Sequence, residues 1–229
     1  MKQPLKIIMA TCLLAISSSA LADMFVDRSI VIFDSNSPPR EDVKVLNNGD
    51  EMIYVELEVL KIENPGTAEE ERLSLKNPRE MGLMATPNRL AIPPNGQKLV
   101  RLVNLNRGSD SERIYRINVK PIVPPMEEDV SQLRIVVAYQ ILTIVHPKNA
   151  KAELQATRQG RVLRFQNSGN SNILLSEGQQ CAPDMSEVCQ ELSSHRLYAG
   201  NNWEITLPYD GPVSYSVSSV DGNKKEVFP

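Results

Sequence analysis

Few side chains in this chain of 229 residues are equipped for chemistry, and their spacing argues against it. The two histidines, His146 and His195, stand at no zinc-type interval from acids or thiols, so each reads as a surface or turn residue rather than a ligand. Cys181 and Cys189 are separated by Ala-Pro-Asp-Met-Ser-Glu-Val, whereas a redox-active pair takes a Cys-x-x-Cys at a helix N-terminus. The acidic run Glu69-Glu70-Glu71 lies in a polar stretch, residues 63–76, and reads as a solvated loop. No glycine-rich phosphate loop and no nucleophile elbow is present. The expectation is a protein that is not an enzyme and takes no cofactor and no metal. Formal net charge is −3 with signs mixed along the chain, which argues against nucleic-acid binding, where clustered Lys and Arg are needed.

The elements that carry these residues are strands. Residues 1–22 are set aside first: Lys2 and Lys6 precede an apolar stretch, 7–16, which ends in serines and Ala20-Leu21-Ala22. That three-part pattern is a secretory signal, cleaved after Ala22, and its apolar core is too short for a membrane anchor. Removing it removes Cys12 and leaves Cys181 and Cys189 as an even pair in an oxidising compartment. They are expected to form a disulfide that pins a local excursion.

The longest apolar, β-branched run is 131–147, Ser-Gln-Leu-Arg-Ile-Val-Val-Ala-Tyr-Gln-Ile-Leu-Thr-Ile-Val-His-Pro. Leu133, Ile135 and Val137 point one way while Gln132 and Arg134 point the other, and from Val136 onward both faces are apolar. Such a strand lies in the middle of a sheet or sits at an edge awaiting a partner. Residues 24–34 read as a first strand. Residues 52–62 alternate Ile53, Val55, Leu57 and Val59 against Tyr54, Glu56 and Glu58, and Pro93-Pro94-Asn95-Gly96 marks a turn before a strand at 97–104. After Pro147 the spacing restarts with short strands between Gly, Asn and Ser turns, and no segment holds an amphipathic helix. The reading is all-β, with one sandwich over 23–146 and a second over 147–229.

In this order and spacing, several segments resemble a known family, the periplasmic PapD-like chaperones of chaperone-usher pilus assembly. They are Asp27-Arg28-Ser29-Ile30-Val31-Ile32-Phe33, Thr86-Pro87 with Leu90 and Pro93-Pro94, Leu99-Val100-Arg101-Leu102, Glu112 ahead of Tyr115-Arg116-Ile117-Asn118-Val119, and the long strand ending at Pro147. The cysteine pair after Ile173-Leu174-Leu175 is similar to the divergent common-pilus, or alpha-fimbrial, branch.

The resemblance implies two immunoglobulin-like sandwiches set as an L or boomerang, and a periplasmic chaperone that binds pilin subunits and hands them to an outer-membrane usher. It implies that Leu133, Ile135 and Val137 are lent to the pilin, supplying its missing strand. An open edge of that kind also permits self-association. Relatives hold the pilin's terminal carboxylate with an Arg and a Lys, but the aligned positions here are Ile30 and Leu142. Arg28 is the candidate substitute anchor. Arg101 and Glu112 fall where relatives carry an ionic network between domains, with the completing aspartate undecided between positions Ser218 and Asp221. The alternative is a structural or adhesive, pilin-like surface protein. Against it, the chain after residue 22 begins directly in a strand rather than in a donated extension.

Overall fold

A computed structural model describes residues 24–106, 108–122, 136–183 and 185–229. The first part of the chain forms β1 (Met24–Val26), β2 (Ile30–Phe33), β3 (Arg40–Asn47), β4 (Ile53–Glu63), β5 (Glu71–Leu73), a single helical turn α1 (Pro78–Met81), β6 (Leu83–Thr86), β7 (Arg89–Ile92), β8 (Gln97–Asn104), β9 (Arg113–Pro121) and β10 (Tyr139–Val145). The second part forms β11 (Leu154–Gln159), β12 (Val162–Asn167), β13 (Ile173–Ala182), β14 (Met185–Leu192), β15 (His195–Leu197), β16 (Asn202–Thr206), β17 (Val213–Ser219) and β18 (Gly222–Phe228). Four sheets result: β1-β3-β8-β6 faces β2-β10-β9-β4-β5 with β7 paired to β4, and β11-β12-β16 faces β14-β13-β17-β18 with β15 paired to β13. Among the described strands, none that ends by Val145 pairs with one that begins after it.

Period-two alternation sets what each sheet buries. In β4, Val55 and Leu57 enter the first core with Val43, Leu102, Tyr115 and Ile117, while Tyr54 stays exposed. The second core gathers Phe165, Leu175, Tyr215 and Phe228, with Phe165 edge-on to both Tyr215 and Phe228. Each sandwich is also tied by one buried asparagine. Asn47 Nδ2 donates to the carbonyls of Glu51, Ile92 and Pro93, and Asn167 Nδ2 donates to those of Ser171, Leu197 and Tyr198. The second of these fixes the backbone on which Tyr198 stands.

The structure corrects several expectations. Residues 24–34 are two strands in different sheets, because Asp27 ends the pairing with β3. Its N–H donates to the Lys44 carbonyl and its carboxylate accepts from Lys44 N at 2.9 Å, after which the chain crosses to the other sheet. The expectation of no amphipathic helix stands among the described residues, where α1 is a single turn capped by Asn77 and closed by Gly82 in a left-handed conformation. The expected disulfide is present and local: Cys181 and Cys189 face each other across the β13–β14 hairpin and are bonded. His146 is not superficial: its side chain is 9% exposed, with Nδ1 3.1 Å from Asp34 Oδ1. His195 stacks on Trp203 at 4.7 Å.

Candidate functional site

The apolar run that dominates the sequence ends as β10, whose two edges differ. One edge is paired with β9 along the whole strand, Tyr139↔Val119 to Val145↔Arg113. The other is closed by β2 in parallel, but only over Leu142↔Ile30 to Val145↔Phe33. Among the described residues, Tyr139, Gln140 and Ile141 therefore keep one open edge. The residues just ahead of them, Val136 and Val137, are exposed at 44% and 37%.

The outer face of this sheet changes character along its length. Cross-strand partners share a face, so Gln140, Asn118 and Glu58 form a polar row, joined by hydrogen bonds and by the Lys120–Glu58 ion pair. The next row is Ile30, Leu142, Arg116 and Leu60. The last is Ile32, Ile144, Ile114 and Ile62. Tyr198 of the second sandwich covers Leu142, Ile144, Ile114 and Ile62, which is why β10 is apolar on both faces. Ile30 and Ile32 lie beyond that cover, exposed at 44% and 43%, as an apolar shelf beside the cleft. Arg116 emerges between Leu142 and Leu60. Its Nε is buried and has no hydrogen-bond partner among the described residues.

Among the described residues, hydrogen bonds from Glu112, Asn201 and Asn170 join the sandwiches next to this cleft. Glu112, just ahead of β9, accepts from Asn172 N at 2.9 Å, Asn172 Nδ2 at 2.7 Å and Ala199 N at 2.9 Å, while its own N–H donates to the Asn170 carbonyl. Burial pushes its carboxyl above the ordinary value, and those hydrogen bonds oppose the shift. Asn201 Nδ2 donates to the Pro65 carbonyl at 2.7 Å, and Asn170 Nδ2 donates to that of Asp110 at 2.9 Å. Beside Pro65, Gly66 has φ of +73° and lies so close under the Tyr198 ring that a Cβ there would meet Cδ2 at 2.9 Å. Both its conformation and its neighbour require glycine.

A two-sandwich chain with a half-open β10 and a joint at Glu112 matches a known architecture. The family model described as pili and flagellar-assembly chaperone, PapD N-terminal domain, matches residues 23–151, more than half of the chain. The chain belongs to this family. Its similarity extends to two Escherichia coli proteins: the CS1 fimbrial B subunit, 25% identical over 80% of this chaperone and 81% of that protein, and the CFA/I fimbrial A subunit, 27% identical over 57% of each. Among solved structures, the class 5 fimbriae chaperone CfaA superposes with a TM-score of 0.64 at 19% identity, covering 90% of this chain and 99% of that one. The Salmonella enterica SafA pilin–SafB chaperone complex gives 0.65 at 14% identity, covering 92% and 98%.

The residues singled out from sequence fall differently in the chaperone. Leu133 and Ile135 lie outside the described residues; Val137 is exposed, ahead of β10. Ile30 and Leu142, the aligned anchor positions, are direct register partners, so the cation next to them is Arg116 on the following strand. Arg28 instead pairs with Glu41 at 3.3 Å and Asp27 at 3.9 Å. Glu112 does join the two sandwiches. Arg101 does not: it forms a two-pronged pair with Asp42 across β3 and β8, at 2.8 and 2.9 Å, within the first sandwich. Its register partner captures it on an exposed sheet face. The bonds of Glu112 go to Asn172 and Ala199, not to Ser218 or Asp221. Arg116, Arg196 and Tyr198 were not foreseen. For Arg116, its alternation with the inward Tyr115 and Ile117 was the available signal.

Proposed function

We propose that this protein is a non-enzymatic periplasmic chaperone that binds pilin subunits by donor-strand complementation, shields them from aggregation and passes them to an outer-membrane usher. The observation that carries this reading is the half-open edge of β10. Among the described residues, the outward backbone groups of Gln140 are unpaired, exposed Val136 and Val137 lie just ahead, and the edge ends beside an apolar shelf and Arg116, whose Nε has no hydrogen-bond partner. A pilin that lacks one strand exposes a groove of complementary chemistry, and strand addition supplies both ladder bonds and alternating aliphatic anchors. Each of Leu133, Ile135 and Val137 contributes about 1.5 to 3 kcal/mol on burial. The terminal carboxylate is assigned to Arg116 in place of Arg28, whose charge is already engaged by Glu41. In the absence of a pilin, the same edge is where two copies of the chain pair.

The test is Ile135→Asp, with Arg134→Ala as control. Ile135→Asp leaves the isolated chaperone folded but weakens pilin binding roughly a thousandfold, because a charge is buried unpaired. Arg134→Ala binds almost normally in the same titration. Unfolding of free Ile135→Asp, or isolation of the wild type as a homopolymer, refutes the reading.

A further inference from the structure

We propose that Gln140 sets the register of a strand docking on β10, by presenting at the open edge a side-chain acceptor that selects a hydrogen-bond donor on the guest. This rests on the chaperone reading above and names the residue that chooses among the placements that reading allows.

Alternating aliphatic side chains do not fix those placements. A guest with such a repeat keeps the same faces when it slips by two residues, so contacts with Val136 and Val137 do not separate one placement from the next. A single polar position does, as one asparagine does in the core of a coiled coil. The edge carries such a position at Gln140, whose row on the outer face continues through Asn118 to Glu58, whereas the row beyond it contains Ile30, Leu142 and Leu60. The backbone is open at the same residue. Leu142 gives its N–H to Ser29, and by alternation the N–H and C=O of Gln140 point to that same side, short of where β2 begins.

The direction of the polar row is dictated from its far end. The Lys120 ammonium, 2.7 Å away, and the Asn118 amide hold the Glu58 carboxyl below its ordinary value, so Glu58 is a carboxylate. A carboxylate only accepts, which turns Asn118 Nδ2 toward Glu58, at 3.1 Å, and leaves Asn118 Oδ1 facing β10. Gln140 must then turn Nε2 to Asn118 Oδ1, at 2.8 Å. Its Oε1 is left on the side away from β9, and it accepts no hydrogen bond among the described residues. Two amides in series between a carboxylate and the edge polarise one another and strengthen this last acceptor. The edge therefore takes a guest side chain that donates, such as Gln, Asn, Ser, Thr or Lys, and disfavours one that only accepts.

The experiment is calorimetric titration of the full chain with a nine-residue peptide of alternating valine and alanine, made soluble by an N-terminal polyethylene glycol, with one Gln at an alanine position. A second peptide carries N,N-dimethylglutamine there, which accepts but does not donate, and in a third the Gln is moved by two residues. Nuclear Overhauser contacts to the Gln140 amide proton report the register. The Gln peptide binds about three- to tenfold tighter than the dimethyl peptide, and the third peptide docks displaced by two residues, with its Gln still opposite Gln140. Gln140→Leu abolishes the difference, and the register no longer follows the Gln. Glu58→Gln, which lets both amides turn over, reduces the difference to below about twofold. Persistence of the difference in Gln140→Leu, its full retention in Glu58→Gln, or a third peptide docked in the register of the first overturns the proposal while the chaperone reading stands. If no peptide pairs with the Gln140 backbone, strand addition at this edge fails and the proposal fails with it; the Ile135→Asp titration with pilin tests that reading by itself.

Discussion

Removing the Glu112 carboxylate by Glu112→Ala should uncouple the two sandwiches without unfolding either. Three donors lose their acceptor, two backbone N–H groups and the Asn172 amide, at 2.7 to 2.9 Å. Hydrogen bonds to a charged group contribute about 1.5 to 3 kcal/mol each, but the variant also escapes the cost of burying a carboxylate, and water enters the joint. A net loss of about 3 kcal/mol is expected, confined to the interface. Urea melts with a separate probe in each sandwich should show two resolved transitions where wild type shows closely coupled ones. Arg101→Ala, whose partner Asp42 lies in its own sandwich, is the control and should melt as wild type does. The pH dependence supplies a second readout. A carboxyl whose folded-state pKa is raised favours folding fully below its unfolded value, here 4.5, and loses that contribution as pH rises through the folded value. The stability of wild type relative to Glu112→Gln, which does not titrate, should therefore decline as pH rises from about 4.5 through the raised pKa. Single coupled melts in Glu112→Ala with an unchanged interdomain orientation would refute the reasoning.

Two further outcomes follow from geometry. Intact-mass analysis should find no free thiol at Cys181 and Cys189, and replacing both by serine should cost about 2 to 3 kcal/mol from the short closed loop, read as a lower melting point of the second sandwich alone. Gly66→Ala should displace the turn from Tyr198 and cost about 1 to 2 kcal/mol from the left-handed backbone, with Tyr198 ring resonances shifted; unshifted resonances would mean that the turn does not hold the ring.

The architecture was legible where one face of a strand is wet. Ile53, Val55 and Leu57 alternate with Tyr54, Glu56 and Glu58, and that pattern alone gives a strand and its orientation. The break at Asp27 was not legible, since Phe25 and Ile30 are equally apolar and only the pairing with Lys44 shows the chain changing sheets. Arg101 was misplaced for a similar reason: its acid partner, Asp42, is found through β-sheet register and not through sequence spacing. The position of Glu112 was readable from family resemblance. Its partners were not, because two of the three donors are backbone N–H groups that leave no mark in composition. Arg116 shows the same limit. Alternation tells that it points away from Ile117, but not that Tyr198 closes over its neighbours.

The parallel pairing of β2 with β10 has a metrical consequence. Among the described residues, a strand docking on the open edge of β10 finds outward-pointing backbone groups only as far as Gln140, because the Leu142 N–H is already given to Ser29 and the edge beyond is filled by β2. The ladder has a built-in end stop. Under the proposed function, a chain running along that edge toward the cleft would be halted two register rows before Arg116, which would set where a guest must terminate.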